Sequence, residues 1–389
     1  MDIRIAIISD LHCVYSPENT YENNDSILFS NMLQNGDSAH PITALLKLIE
    51  KEELQCDYLL CPGDITNKMD IQGLISGFNY LQEIKRKLQA KQLICTPGNH
   101  DVDFCRRLTK ILPQASSSLK YVSDEYPLDN KTLSDDLINK GYCLYQDEKL
   151  IVLCVNSVVN FTDKDSASII DVNATIINEI EQKLKNLSQE SPQIRIVMTH
   201  HHPISITDQN YRAYDKSDWL ENGDRLMDML EKYGFSLFIH GHKHKAKLYQ
   251  YDKFTLFCAG GFSAQSNLCL GDDANMFHVI SLDYDNHIKG TIETWTFSPR
   301  KYQWEKTSVG FPKKQGFGAV APPGDIANNI IQAQLFKDAG KRRYSDVEQM
   351  YPEISYLTKD QYKEFEEKLA TEKICISTLG DIRYFILND

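Results

Sequence analysis

The chain has no apolar run of the ~18–20 residues that a membrane span requires. Its first residues, Met-Asp-Ile-Arg-Ile-Ala-Ile-Ile, read as a strand and carry no basic leader or small-residue cleavage site, so the expected location is the cytoplasm. The ten cysteines are dispersed and no two form a CxxC, which argues against a zinc cluster or a disulfide framework. Several sit in apolar runs, such as Cys95 in QLICTP and Cys154 in IVLCVN, as buried reduced thiols do. Positive charge is also short: 42 Lys and Arg against 54 Asp and Glu give a net charge of −12, which disfavours nucleic-acid binding by the whole surface. Residues 300–389 carry 14 basic and 13 acidic side chains, so the acidity is concentrated in residues 1–299. No repeat or low-complexity tract is visible, and 42% hydrophobic with 25% charged residues excludes wholesale disorder, collagen and coiled coil.

What is present is an alternation of short apolar runs with helical patterns along 389 residues, enough for two or three domains. Strands are predicted at Ile3–Ser9, Tyr58–Cys61, Gln92–Thr96, Leu150–Asn156, Ile194–Thr199, Leu237–His240, Lys247–Tyr251 and Thr255–Cys258. Helices are predicted at Ile42–Lys51, Ile71–Leu88, Ile170–Lys185 and Arg225–Lys232, with late antiparallel strands at Val279–Leu282 and Gly290–Thr296. This order implies an α/β core of sheets covered by helices. After residue 300 the character changes. Residues 309–325 are rich in Gly and Pro and read as a linker, followed by helix-like Asp325–Gly340 and Lys359–Thr371 and a final strand Arg383–Leu387. The expected organisation is a domain over 1–300 and a small, mostly helical accessory region over 301–389. That region is a candidate surface for a protein partner or a second copy of the chain. Its Lys341-Arg342-Arg343 triplet reads as a solvated helix end.

The strands repeatedly run into metal-ligand residues. Asp10-Leu11-His12 follows the first, Gly63-Asp64 the second, Gly98-Asn99-His100-Asp101 the third, His200-His201-His202-Pro203 the fifth, and Gly241-His242-Lys243-His244 the sixth. Seven of the eleven histidines fall in these clusters, and an eighth, His240, ends the strand just before the last of them. Carboxyl ends of sheet strands are where ligands gather, because rigid strands hold loops that are free to vary. The i, i+2 spacing of Asp10/His12 and of His242/His244 lets both side chains of a pair point the same way on an extended segment. A carboxylate such as Asp64 has two oxygens with which to bridge two cations, and Asn99 offers a neutral amide oxygen. Mixed His/Asp/Asn ligation suits Mn, Fe or Zn better than Ca or Mg.

The ordered set D-x-H, G-D, G-N-H-D, H-x-P and G-H-x-H resembles the calcineurin-like metallophosphoesterase superfamily over roughly residues 1–300. The resemblance implies a four-layer α/β/β/α sandwich of two mixed sheets flanked by helices. It implies two divalent metal ions, manganese first and iron or zinc as alternatives. The first would be held by Asp10, His12, Asp64 and His244, and the second by Asp64, Asn99, His242 and a histidine of the 200–202 run. Counting two residues back from Pro203 selects His201, with His200 competing one register away. His100 would contact phosphate or protonate the leaving oxygen, and Asp101 would orient it. The implied reaction is in-line attack on phosphorus by a hydroxide bridging the metals. His202 reads as either pocket lining or a support for the ligands, and His240 as structural.

Departures from subfamily patterns bear on the substrate. Phosphoprotein phosphatases of this superfamily carry G-D-x-V-D-R-G, whereas this chain has Gly63-Asp64-Ile65-Thr66-Asn67-Lys68 and lacks their phosphate-gripping arginine. Purple acid phosphatases place a metal-binding Tyr where Asn67 stands. The pattern is most similar to the class III cyclic-nucleotide phosphodiesterase branch, which implies a phosphodiesterase acting on a nucleotide-type small molecule. A DNA or RNA nuclease, working alone or in a complex, is the alternative, with a phosphomonoesterase or a non-catalytic binding protein behind it. Insertions at 14–40, 102–146 and 204–222 leave the metal-bearing strand ends and should form the rim, with Tyr15, Tyr21, Asn23, Asn24, Gln209, Asn210, Tyr211 and Tyr214 available and Arg212 as a phosphate clamp.

Overall fold

The computed structural model describes residues 2–15, 26–33, 40–102, 119, 122–123, 125–160, 170–187, 194–205, 219–265, 274–333, 335–336, 340–379 and 382–387. They fall into two compact units, Ile3–Val279 with Thr294–Lys313 and Ile280–Glu293 with Lys314–Asp389. The first unit opens with β1 (Asp2–Ile7), α1 (Ser30–Leu33), α2 (Pro41–Lys51), β2 (Tyr58–Cys61), α3 (Ile71–Lys87) and β3 (Gln92–Cys95). Next come α4 (Lys131–Lys140), β4 (Tyr142–Gln146), β5 (Leu150–Val155), α5 (Ala174–Lys185) and β6 (Ile194–Met198). The chain then runs through α6 (Gly223–Glu231), β7 (Leu237–His240), β8 (Lys247–Tyr251), β9 (Phe254–Cys258), β10 (Met276–Tyr284), β11 (Ile288–Ser298) and β12 (Gln303–Glu305).

Two large mixed sheets result. One has the order β12-β11-β10-β1-β2-β3, parallel across β1-β2-β3 and antiparallel at β11-β12. The other has the order β4-β5-β6-β7-β9-β8, parallel across β5-β6-β7-β9 with antiparallel strands at both edges. The α/β sandwich expected from the sequence is present. Strands such as β5 and β9 are buried at every residue, which is why they read as unbroken apolar runs. One continuous core takes in side chains of both sheets and of α2, α3, α5 and α6. In α3, Asp70 caps the first turn by accepting from the Gly73 amide, and Leu74, Phe78, Leu81 and Ile84 bury one face. Full burial of such a side chain stabilises by about 1.5–3 kcal/mol.

The second unit contains β13 (Lys314–Phe317), α7 (Pro323–Gln332), β14 (Lys341–Arg343), α8 (Tyr344–Met350), α9 (Lys359–Ala370), β15 (Ile374–Leu379) and β16 (Ile382–Leu387). It has its own core, which includes Ile326, Ile330, Val347, Phe365, Leu369 and Phe385. Two readings change here. The Gly/Pro-rich segment 309–325 contains a strand, β13, paired antiparallel with Gly290–Glu293. Lys341-Arg342-Arg343 is not a helix end but β14, an edge strand pairing with Tyr384–Ile386 in a small antiparallel sheet of order β14-β16-β15. Its side chains are exposed, as edge strands that carry charge are.

Candidate metal centre

The carboxyl ends of β1, β2, β3, β6 and β7 deliver the five histidine- and aspartate-bearing loops to one place. The loops are knitted together by main-chain bonds: the Asp10 amide donates to the Gly63 carbonyl at 3.0 Å, the His12 amide to the Asp64 carbonyl at 3.0 Å, and the Gly241 amide to the His200 carbonyl at 3.0 Å. Asp10, His12, Asp64, His242 and His244 all have left-handed backbones, with φ between 46° and 77°. Such conformations cost energy for non-glycine residues and persist where the surroundings over-determine them. Space is equally tight. A Cβ on Gly98 would lie 2.5 Å from the Asp64 nitrogen, and one on Gly241 would lie 2.6 Å from Asp10 Oδ2.

The first donor set is Asp10, His12, Asp64 and His244, one ligand atom from each lying within 4.8 Å of the others. His12 Nε2 is 2.9 Å from His244 Nε2 and 3.6 Å from Asp64 Oδ2, and His244 Nε2 is 3.4 Å from Asp10 Oδ1. Asp10 and Asp64 are buried at 0% and 1% exposure, and among the described residues their ion-pair partners are histidine rings. Burial, followed by the neighbouring His100 and His244 rings, holds His12 down at about 3, so its imidazole is neutral.

The second set gathers around Asn99. Its Oδ1 lies 3.0 Å from His200 Nε2 and 3.1 Å from His242 Nδ1. His200 Nε2 is also 3.2 Å from Asp64 Oδ2, while its Nδ1 donates to the Pro62 carbonyl at 2.8 Å. His201, the residue selected by counting from the proline, directs Nδ1 to Ser157 Oγ at 2.8 Å. It shares with His200 and His242 a group of donor atoms within 4.8 Å. Burial and then His200 hold His242 down at about 4. Burial disfavours charge on His200, yet Asp64 beside it lifts its pKa to about 9. For Asp10, too, burial opposes ionisation, but His244 and then His200 hold it at about 2. Each buried carboxylate thus raises the pKa of a histidine beside it, Asp64 that of His200 and Asp10 that of His244. Divalent cations fit the same place, with neutral imidazoles, carboxylates and an amide oxygen as ligands.

His100 stands beside this cluster, its ring centroid 4.6 Å from that of His12 and its amide donating to Asp64 Oδ1 at 2.8 Å. Asp101, expected to orient His100, has its carboxylate taken up by backbone instead: it accepts from the Thr66 and Gly98 amides, each at 2.9 Å. His100 Nδ1 lies 2.9 Å from Asn67 Oδ1 and 3.1 Å from the Lys68 amide nitrogen. The role of Asn67 was missed; the sequence signal was its place three residues after Asp64. Arg212, Tyr21, Asn23, Asn24, Gln209, Asn210, Tyr211 and Tyr214 lie outside the described residues.

No curated protein matches the chain. The chain is similar to the purple acid phosphatase PPD1 of yellow lupin (Lupinus luteus) at 14% identity and a TM-score of 0.50, covering 78% of this chain and 53% of that one. It is also matched to a Staphylococcus aureus protein described as a candidate 5'-nucleotidase, at 14% identity and a TM-score of 0.39, covering 73% and 51%. The chain therefore spans about half the length of these two structures. The first likeness bears on the fold alone. Residues 3–246, which hold all five motif blocks, match the model of the calcineurin-like phosphoesterases, and the chain belongs to that family.

Proposed function

We propose that the protein is a binuclear metal-dependent phosphoric ester hydrolase acting on a phosphodiester of a nucleotide-type small molecule. The observation that supports it most is the pair of abutting donor sets meeting at Asp64, whose Oδ2 lies near both His12 and His200. Asp10, His12, Asp64 and His244 would hold one cation, and Asp64, Asn99, His242 and His200 the other. We assign His200 in preference to His201, because its Nδ1 is already engaged by the Pro62 carbonyl and its Nε2 faces Asp64 and Asn99. The nitrogen and oxygen donors suit manganese, with iron or zinc as substitutes. When bound, the two cations supply charge stabilisation at phosphorus and a nucleophile at neutral pH.

The chain's own groups do the rest. Asp10 and Asp64 place two negative charges in a buried pocket. His100, held at Nδ1 by Asn67 Oδ1 and the Lys68 amide, would contact the phosphate or protonate the leaving oxygen through Nε2. Asn67 fixes that ring, and Asp101 fixes the Gly98 and Thr66 backbone on either side of Asp64. Residues 1–300 are read as the catalytic domain and 301–389 as an accessory region that contacts a partner or a second copy. Seven of the eight described cysteines are buried, which supports a reducing, cytoplasmic setting. No described helix is long and apolar enough to cross a membrane.

The test is steady-state hydrolysis by manganese-loaded protein of bis-(p-nitrophenyl) phosphate against p-nitrophenyl phosphate, then of cyclic nucleotides, dinucleotides and single-stranded DNA and RNA. The diester should be preferred over the monoester and small diesters over polynucleotides, and Asp64→Ala or Asn99→Ala should abolish turnover. Unchanged turnover in both variants would overturn the site. A preference for the monoester or for polynucleotides would overturn the substrate class.

A further inference from the structure

A third histidine-rich group lies outside these donor sets. His202 follows β6, His240 ends β7 and Cys258 ends β9, and one donor atom from each lies within 4.8 Å of the others. The pairing of β7 with β9 sets His240 opposite Cys258, and the His202 and His240 ring centroids are 4.4 Å apart. All three residues are buried, at 6%, 0% and 1% exposure. Buried polar atoms are nearly always partnered. Here His202 Nδ1 and His240 Nε2 have no hydrogen-bond partner among the described residues. The other nitrogen of His240 faces the Gly241 carbonyl at 3.3 Å, and Cys258 Sγ has long contacts to the carbonyls of Gly241 at 3.6 Å and Ala259 at 3.8 Å and a hydrogen bond from the Lys243 backbone.

We propose that His202, His240 and Cys258 form a separate site for one soft transition cation, for which zinc is the fitting ion. Two imidazoles and a thiolate select zinc over magnesium, calcium or manganese. Zinc bonds of about 2.0–2.3 Å place tetrahedral donors roughly 3.3–3.6 Å apart, so small side-chain rotations would close the present spacing. Binding forms one sulfur–metal and two nitrogen–metal bonds and releases the Sγ proton to solvent, with no electron transferred. The ion would tie together the ends of β6, β7 and β9. Two of these lead directly into His200–His201 and His242, so the site would act as a clamp beneath the metal-bearing loops.

Sulfur makes the site separable from the binuclear centre, whose donors are nitrogen and oxygen. The experiment loads full-length wild type, Cys258→Ser, His202→Asn and Asp64→Ala with cobalt(II), and in parallel with zinc. Wild type should show a thiolate-to-cobalt charge-transfer absorption in the near ultraviolet and bind three zinc ions per chain. Cys258→Ser should lose the band and one zinc, His202→Asn should lose one zinc, and Asp64→Ala should keep the band. Absence of the band from wild type, or its persistence in Cys258→Ser, would overturn the proposal without requiring any variant to be active. Failure of the hydrolase reading would appear elsewhere, as turnover surviving in Asp64→Ala.

Discussion

Adding a single methyl group at Gly98 should disable the centre. A Cβ there would stand 2.5 Å from the Asp64 nitrogen and 2.8 Å from its Cγ, and would collide with Oδ1. Ordinary contact between heavy atoms is about 3.5–4.0 Å, so the carboxylate proposed to join the two cations must retreat by about 1 Å. Overpacking of this kind costs about 1–3 kcal/mol of stability. A 1 Å displacement of a positioned group costs about a hundredfold in rate, or about 2.7 kcal/mol. Gly98→Ala should therefore melt several degrees lower, hold less than its full complement of metal and lose about a hundredfold in kcat/KM on bis-(p-nitrophenyl) phosphate with manganese. Gly324→Ala is the control: its Cβ meets nothing within 4 Å at the start of α7, and the change should leave activity intact while stabilising by about 0.4–1 kcal/mol. A Gly98→Ala protein with wild-type activity and full metal content would refute the reasoning.

Asn67→Ala removes the side chain that meets His100 Nδ1 at 2.9 Å, and should lower kcat by about 10–100-fold with KM and metal content nearly unchanged; an unaltered kcat in stopped assays would exclude that positioning role. Tyr126 buries a hydroxyl with no hydrogen-bond partner among the described residues, so Tyr126→Phe should stabilise by about 1 kcal/mol in urea titration, and a clear loss would show that the hydroxyl is satisfied. Asp147 accepts from Tyr58 Oη at 2.7 Å and Tyr145 Oη at 2.9 Å and pairs with Lys91 at 2.7 Å. Burial opposes its ionisation, but Lys91 and Tyr58 hold its pKa at about 2, below the ordinary 3.8. The stabilisation from that charge is full above pH 3.8 and is lost as pH falls towards 2. Asp147→Asn should accordingly lower the melting temperature at pH 7, with the deficit shrinking as the pH drops below 4; a pH-independent deficit would contradict the charge argument.

Much of the centre was legible in the sequence because its ligands sit immediately after strands. An unbroken apolar run such as that of β7 announces both the strand and the point at which His242 and His244 leave it. What was illegible depends on contacts between distant segments. The choice between His200 and His201 rests on where Nε2 of one ring meets Asn99 and Asp64, and counting from Pro203 carries no such information. The Asp101 carboxylate is taken up by two backbone amides, and Asn67, for which no role was expected, meets the His100 ring instead. Helix α4 had its signals, Asn130 accepting from the Leu133 amide and Gly141 in the left-handed conformation, but its weak apolar stripe concealed them. In the second unit, Lys341-Arg342-Arg343 has the composition of a solvated helix end and becomes a strand only because β16 offers it an edge.

The most direct measurement is anomalous scattering from a crystal of the full-length protein grown with manganese. The account predicts two peaks that share Asp64 as a common ligand, one also held by Asp10, His12 and His244 and the other by Asn99, His200 and His242. A single peak, or Asp64 in contact with fewer than two ions, would contradict it.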